Sequence, residues 1–271
     1  MSRHDLTDSE WKSIRVFLPA EHNGKAGRPW CGHRQVINGI LWVLFVGGSW
    51  RDVPVEYGNW STIYRRFRRW SDEGLWNRIM SSLLKKLHAA GGIDLQVWCV
   101  DGTIIRAHRS AAGAKDSPRK NWDNEALGKS QGGNGTKLHV VTDAKGTPLA
   151  LSATPGQSHE SKEFENVMSQ LQVSIHRQKK RPRYFAGDKA YSSGAIRDWL
   201  IRRHIKPIIP TKSNERKQPF DKRIYRKRNV VERFIGWLKD HRRVSTRYDK
   251  NVESFLTFAK IAIVRKLLKM V

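Results

Sequence analysis

Tyr225, Arg228, Glu232 and Lys239 set one acid among cations on a segment that reads as an amphipathic helix. At about 100° per residue, the spacing of these four positions keeps them within an arc of roughly 60°. Val231, Phe234, Ile235 and Leu238 fall largely to one side of that stripe, so the helix can pack its back on a core while presenting a carboxylate beside phosphate ligands. Alone, such a stripe usually means a solvated face in a basic protein. Two further acids change its meaning. Asp101 ends the run Leu95–Val100 and Asp188 ends Arg183–Gly187, both of which predict strands closing on an acid, where open α/β sheets place ligands. Either acid by itself is the usual turn or cap residue; all three together suit hard-cation chemistry. Two Mg²⁺ ions about 4 Å apart on such carboxylates activate a water or a 3′-hydroxyl and stabilise the leaving oxygen of a phosphodiester.

Composition agrees with a polyanionic substrate. The 271 residues carry 51 Lys plus Arg against 25 Asp plus Glu, a formal charge of +26, and self-repulsion of that size favours nucleic acid as a partner. An anionic membrane surface is the weaker candidate. The longest strongly apolar stretch, Ile40 to Val46, is far short of the roughly 18 residues needed to span a bilayer, and the N-terminus leads into no signal core. A soluble, cytoplasmic, nucleoid-associated protein is expected. Cys31 and Cys99 have no metal-ligand pair spacing, which argues against a zinc ribbon or a disulfide scaffold.

The elements that must position these residues fall into two parts. Residues 1–92 read as helical and rich in Trp. Thr7 and Glu10 form a capping-box pattern ahead of a first helix, and Gly24–Pro29 reads as a basic connector. A buried helix over Val36–Phe45, a short turn and a basic helix over Trp60–Trp70 resemble a helix-turn-helix. Arg65, Arg66, Arg68 and Arg69 supply its DNA face, with a plain helical subdomain as the alternative. From Leu95 the period changes to strand, hairpin (137–142 with 148–153), helix (162–173), strand, helix (192–203), strand (205–209) and the Glu232 helix, a mixed α/β order with parallel crossovers. The segment 109–136, with Gly132, Gly133 and Gly135, is expected to be mobile and basic. Gln178–Arg183 reads as a solvated basic loop. From Asp221 onward 15 Lys plus Arg face 5 Asp plus Glu, so the C-terminal helices are expected to add phosphate contacts. His159 and Glu160 follow a strand end, either near the metals or as a turn and cap. Gly236 lies on the polar stripe, where a bare backbone allows close approach of DNA.

With these residues in place, the chain resembles a DDE-type bacterial insertion-sequence transposase, most similar to the insertion-sequence-five branch of the Tyr-Arg-Glu-Lys signature group. Tyr225, Arg228, Glu232 and Lys239 match that signature's spacing throughout. Asp101 sits in Val100-Asp101-Gly102-Thr103 and Asp188 in Gly187-Asp188-Lys189-Ala190-Tyr191, where Ala190 departs from the usual Gly. The resemblance implies a ribonuclease H-like core in residues 93–271, with Asp101, Asp188 and Glu232 ligating two Mg²⁺ or Mn²⁺. It implies that Arg228 and Lys239 hold DNA phosphates near the cleaved end, that Tyr225 supports the strand path, and that a homodimer pairs two ends. The activity expected is binding of terminal inverted repeats, cleavage of the element's ends and transfer of the 3′-hydroxyls to target DNA. The rivals are a ribonuclease H-like nuclease without strand transfer and a domesticated, non-catalytic DNA-binding regulator.

Overall fold

The computed structural model describes residues 4–21, 31–112, 125–130, 132–171 and 181–271. Helix α1 (Asp8–Ile14) opens on the expected capping box, with the Glu10 N–H donating to Thr7 Oγ1 at 3.2 Å and the Thr7 N–H to Glu10 Oε2 at 2.9 Å. Helix α2 (His33–Val46) is buried over most of its surface and stops at Gly47, whose φ of 72° is a left-handed cap that glycine adopts without strain. The Gly24–Pro29 connector lies outside the described residues. Helices α3 (Trp60–Asp72) and α4 (Leu75–Ala89) follow. Residues 47–59 between α2 and α3 hold two 3₁₀ turns, so the short turn of a helix-turn-helix is replaced by a longer, structured connection.

Strands β1 (Val97–Ala107), β2 (Gly128–Ser130), β3 (Gly133–Asp143), β4 (Pro148–Pro155), β5 (Tyr184–Ala186), β6 (Lys206–Ile208) and β7 (Thr246–Arg247) form one mixed sheet. β3 pairs antiparallel with β1 on one edge and with β4 and β2 on the other; β5 pairs parallel with both β1 and β6. Among the helices with the sheet are α5 (Arg109–Ala112), α6 (Glu160–Ser169), α7 (Gly194–Arg202) and α9 (Asn229–Lys239), and Phe164 of α6 meets Phe185 of β5 and Trp199 of α7 edge-on. This is the mixed sheet flanked by helices that a ribonuclease H-like core implies.

Four expectations are corrected. β1 does not end at Asp101. The pair Gly102-Thr103 looks like a stop, but β3 pairs as far as Arg106 and β7 takes Arg106 and Ala107, so backbone hydrogen bonds carry the strand onward. The described ends of the 109–136 segment are ordered: α5 forms one end, and β2 with the start of β3 forms the other. The fully buried Arg247 donates to Glu125 O at 2.7 Å and Thr136 Oγ1 at 2.6 Å; residues 113–124 and 131 lie outside the described residues. The Glu232 helix is divided into α8 (Lys222–Tyr225), a 3₁₀ turn at Arg226–Arg228 and α9.

The fourth correction is confined to the last helix, since Lys222, Arg223, Arg226 and Lys227 of the same C-terminal stretch remain exposed. After α10 (Arg242–Ser245) and β7, α11 (Val252–Leu268) buries Phe255, Phe258, Ala262 and Ile263 rather than presenting a cationic surface. Phe258 stacks on Phe67 of α3 at 4.6 Å, and Thr257 shares a 2.6 Å hydrogen bond with Ser71. Helices from both sides of residue 92 therefore enclose one core. No helix among the described residues is long and apolar enough to cross a membrane.

Candidate active site

The register of β1 against β5 brings the first two acids together. Cys99 pairs with Ala186, so Asp101 and Asp188 each stand two residues beyond the last paired position on neighbouring parallel strands. Asp188 Oδ1 accepts the Ala190 N–H at 2.9 Å and begins a 3₁₀ turn. Asp101 Oδ1 accepts the Gly102 N–H at 3.0 Å, while its Oδ2 faces Arg228 Nη1 at 3.1 Å. Buried Val231, Phe234, Ile235 and Leu238 seat α9 on the sheet, as the periodicity of the segment predicts. That seating turns Arg228 inward. Its other nitrogen, Nη2, pairs with Glu232, and its guanidinium stands 5.8 Å over the Tyr225 ring. The 3₁₀ turn thus leaves the stripe intact from Tyr225 to Glu232, and Lys239 lies half-buried at the end of α9.

Burial pushes the Asp101 carboxyl up to about 6; Arg228 opposes that rise, while Asp188 and Glu160 add to it. Burial weighs against the Arg228 charge too, but Asp101 and Glu232 together hold its pKa above the ordinary arginine value. The pocket thus keeps a carboxylate group and a cation in mutual compensation.

The sequence left His159 and Glu160 open between a place near the metals and a turn and cap role, and the structure separates the two residues. His159 is a helix cap, its Nδ1 accepting the Ser161 N–H at 3.3 Å, whereas Glu160 turns toward the acids. Its Oε1 lies 3.3 Å from Lys137 Nζ and its Oε2 is buried with no hydrogen-bond partner among the described residues. Buried Tyr191, whose hydroxyl lies 3.4 Å from His139 Nδ1, sits below this group: burial, then Glu160, Asp101 and Asp188 raise its pKa.

The arginines of α3 do not form a single face. Arg65 is exposed, and Arg69 pairs loosely with Glu73 at 3.7 Å. Arg68 donates to Ser254 Oγ at 2.6 Å. Arg66 is buried against His33 Nδ1 at 2.9 Å and does not reach a DNA-facing surface, a correction that follows from its position on the core side of the helix.

Among the described residues no three His, Cys, Asp or Glu side chains stand close enough to hold a metal ion. The chemistry of the donors nevertheless suits one. They are hard oxygens, one of them buried without a partner, and a guanidinium already spans Asp101 and Glu232.

Residues 6–80 match the family described as Putative transposase of IS4/5 family (DUF4096), and residues 93–265 match Transposase DDE domain. The chain is 38% identical over 112 residues to the insertion element IS402 uncharacterized 16.2 kDa protein of Burkholderia cepacia, covering 40% of this chain and 76% of that protein. It is 30% identical over 130 residues to a putative transposase for insertion sequence element IS6501 of Brucella ovis, covering 47% of this chain and 93% of that protein. A superposition on the catalytic domain of Mos1 mariner transposase covers 72% of this chain and 91% of that one at 12% identity, with a TM-score of 0.27. By the match over residues 93–265, the chain belongs to the transposase DDE domain family and is a metal-dependent transposase.

Proposed function

We propose that this transposase binds the terminal inverted repeats of its element as a homodimer, cleaves the element's ends and joins the freed 3′-hydroxyls to target DNA. The observation that carries this is the bridge Asp101–Arg228–Glu232 beside Asp188, an acid group held around one displaceable cation. Asp101, Asp188 and Glu232 are assigned to two divalent ions, Mg²⁺ with Mn²⁺ as a substitute. Bound there, the ions would supply a nucleophilic oxygen and stabilise the leaving one. In cleavage, a water oxygen bonds to phosphorus and the bond to the 3′-oxygen breaks. In joining, that 3′-oxygen bonds to a target phosphorus and a target strand oxygen leaves.

The chain's own groups then have distinct tasks. Arg228, released from the carboxylates, takes a phosphate near the scissile bond, and Lys239 takes another further along the strand. Tyr225 supports the strand path beneath Arg228. Gly236 leaves open space beside the stripe, room for a DNA backbone to approach. Residues 1–92 serve as the DNA-binding part, with Arg65 and Arg69 and, after letting go of Ser254, Arg68 as its phosphate contacts; residues 93–271 carry the chemistry. The protein acts in the cytoplasm, at the nucleoid.

Labelled end DNA, a pre-cut end and a target duplex test this reading in Mg²⁺. Asp101→Asn, Asp188→Asn and Glu232→Gln should each reduce cleavage and joining by at least a thousandfold while end binding stays within a few-fold of wild type, since each swap removes a metal-ligating charge and keeps shape. Cleavage without joining of the pre-cut end would identify a plain nuclease, and binding without cleavage a regulator.

A further inference from the structure

Glu160 is placed by the fold where a fourth carboxylate would serve the acids of the site. It begins α6, just beyond the end of β4, and its side chain is 15% exposed. Its carboxylate lies against Gly102, the residue after Asp101, so closely that a Cβ there would meet Oε1 at 3.0 Å. A side chain at 102 would crowd the carboxylate and push it aside by a few tenths of an ångström. Lys137 engages one oxygen of Glu160 while also donating to Ser158 O at 2.9 Å, and the other oxygen is buried with no partner among the described residues. An ionised carboxylate oxygen excluded from water and left unpaired is costly, so the arrangement calls for a cation or an ordered water at that position.

The carboxylates that weigh most on Asp101 are Asp188 and Glu160. Glu232, by contrast, has a 45% exposed side chain and is held at the rim by Arg228. We propose that Glu160, with Asp101 and Asp188, takes up a divalent cation before DNA arrives, and that Glu232 joins only when Arg228 leaves it for a phosphate. This rests on the active-site reading above, and it adds a residue that the three-acid set omits. Lys137 is the competing cation; Glu160 rotates off it to reach the ion.

Mn²⁺ binding to the full chain without DNA, followed by the loss of the free-ion electron paramagnetic resonance signal, tests this. Glu160→Gln should weaken binding about tenfold and Glu232→Gln by less than about twofold, while Asp101→Asn should remove it. Wild-type binding by E160Q alongside loss in D101N overturns the role of Glu160 and leaves the active site standing. Unchanged binding in D101N overturns the site itself. If E160Q does not fold, Lys137→Gln replaces it: freeing Glu160 should tighten Mn²⁺ binding several-fold, and equal or weaker binding overturns the proposal.

Discussion

His139 shows how the site's floor is held by groups that carry no charge. Fully buried on β3, it contacts Thr154 Oγ1 at 2.8 Å and the Tyr191 hydroxyl at 3.4 Å, and burial pulls its pKa down to about 4. The folded state thus binds a proton less readily than the unfolded chain, whose histidine titrates near 6.5. Its contribution to stability is complete above that value and is lost as pH falls toward 4, amounting to about 3 kcal/mol at the limit. Asp101 acts in the opposite sense. With its pKa raised to about 6, its contribution is complete below its unfolded value and is lost as pH rises through 6. Urea unfolding at pH 7 and pH 4.5 of wild type and His139→Leu separates the two, because Asp101 is common to both proteins. The variant should lose less stability than wild type between those pH values; an identical loss would show that His139 is not held neutral. At this scale the acids were legible in sequence because each ends or lines a periodic run. Glu160 was legible only as one of two alternatives, because Gly102, Lys137 and Tyr191, which define its surroundings, are brought to it by sheet pairing and the turn after β5.

At the scale of elements, α3 carries four arginines, and helical spacing already sets Arg66 beside Ile63 and Trp70 while Arg65, Arg68 and Arg69 fall on the opposite side. The helix rotates so that Ile63, Phe67 and Trp70 face the core, and Arg66 goes inward with them to meet His33. Arg66→Ala should therefore cost about 2–3 kcal/mol, through a cavity and an abandoned histidine nitrogen, and leave DNA affinity unchanged well below the melting temperature. Arg65→Ala should do the reverse: melting unchanged, binding weaker, and the log–log salt slope reduced by about one unit. Thermal melts and salt titrations of end-DNA binding on both variants check this. A loss of slope in the Arg66 variant with unchanged stability would reverse the assignment. β1 was misjudged because a Gly-Thr pair after an acid looks like a terminus only until two partner strands supply its hydrogen bonds. The hydrophobic face of α9 was legible because its apolar residues keep one helical stripe, which packs on β1, β3 and the neighbouring C-terminal helices.

At the scale of the whole molecule, a net charge of +26 is spread over a fold whose last helix runs back among the first ones. Lys260 and Arg265, counted in sequence as DNA-facing charge, are instead consumed internally. Lys260 pairs with Glu253 at 2.7 Å, and Arg265 donates to His4 and Asp5 carbonyls near the N-terminus. Charge composition therefore does not say which cations remain free for a partner, because the tertiary packing of α11 on α3 and α4 decides that. The order of strands and helices was legible because period changes mark it, whereas this return of the C-terminus leaves no local signal. What unites the three scales is a group of carboxylates bridged by Arg228, which on the proposed reading gives way to a metal and a DNA end. The most direct measurement is anomalous diffraction from crystals of the full chain bound to end DNA and Mn²⁺. The account predicts anomalous peaks ligated by Asp101, Asp188 and Glu232 at about 2.1–2.2 Å, with Arg228 moved onto a phosphate. Arg228 still bridging Asp101 and Glu232, with Mn²⁺ bound elsewhere, would contradict it.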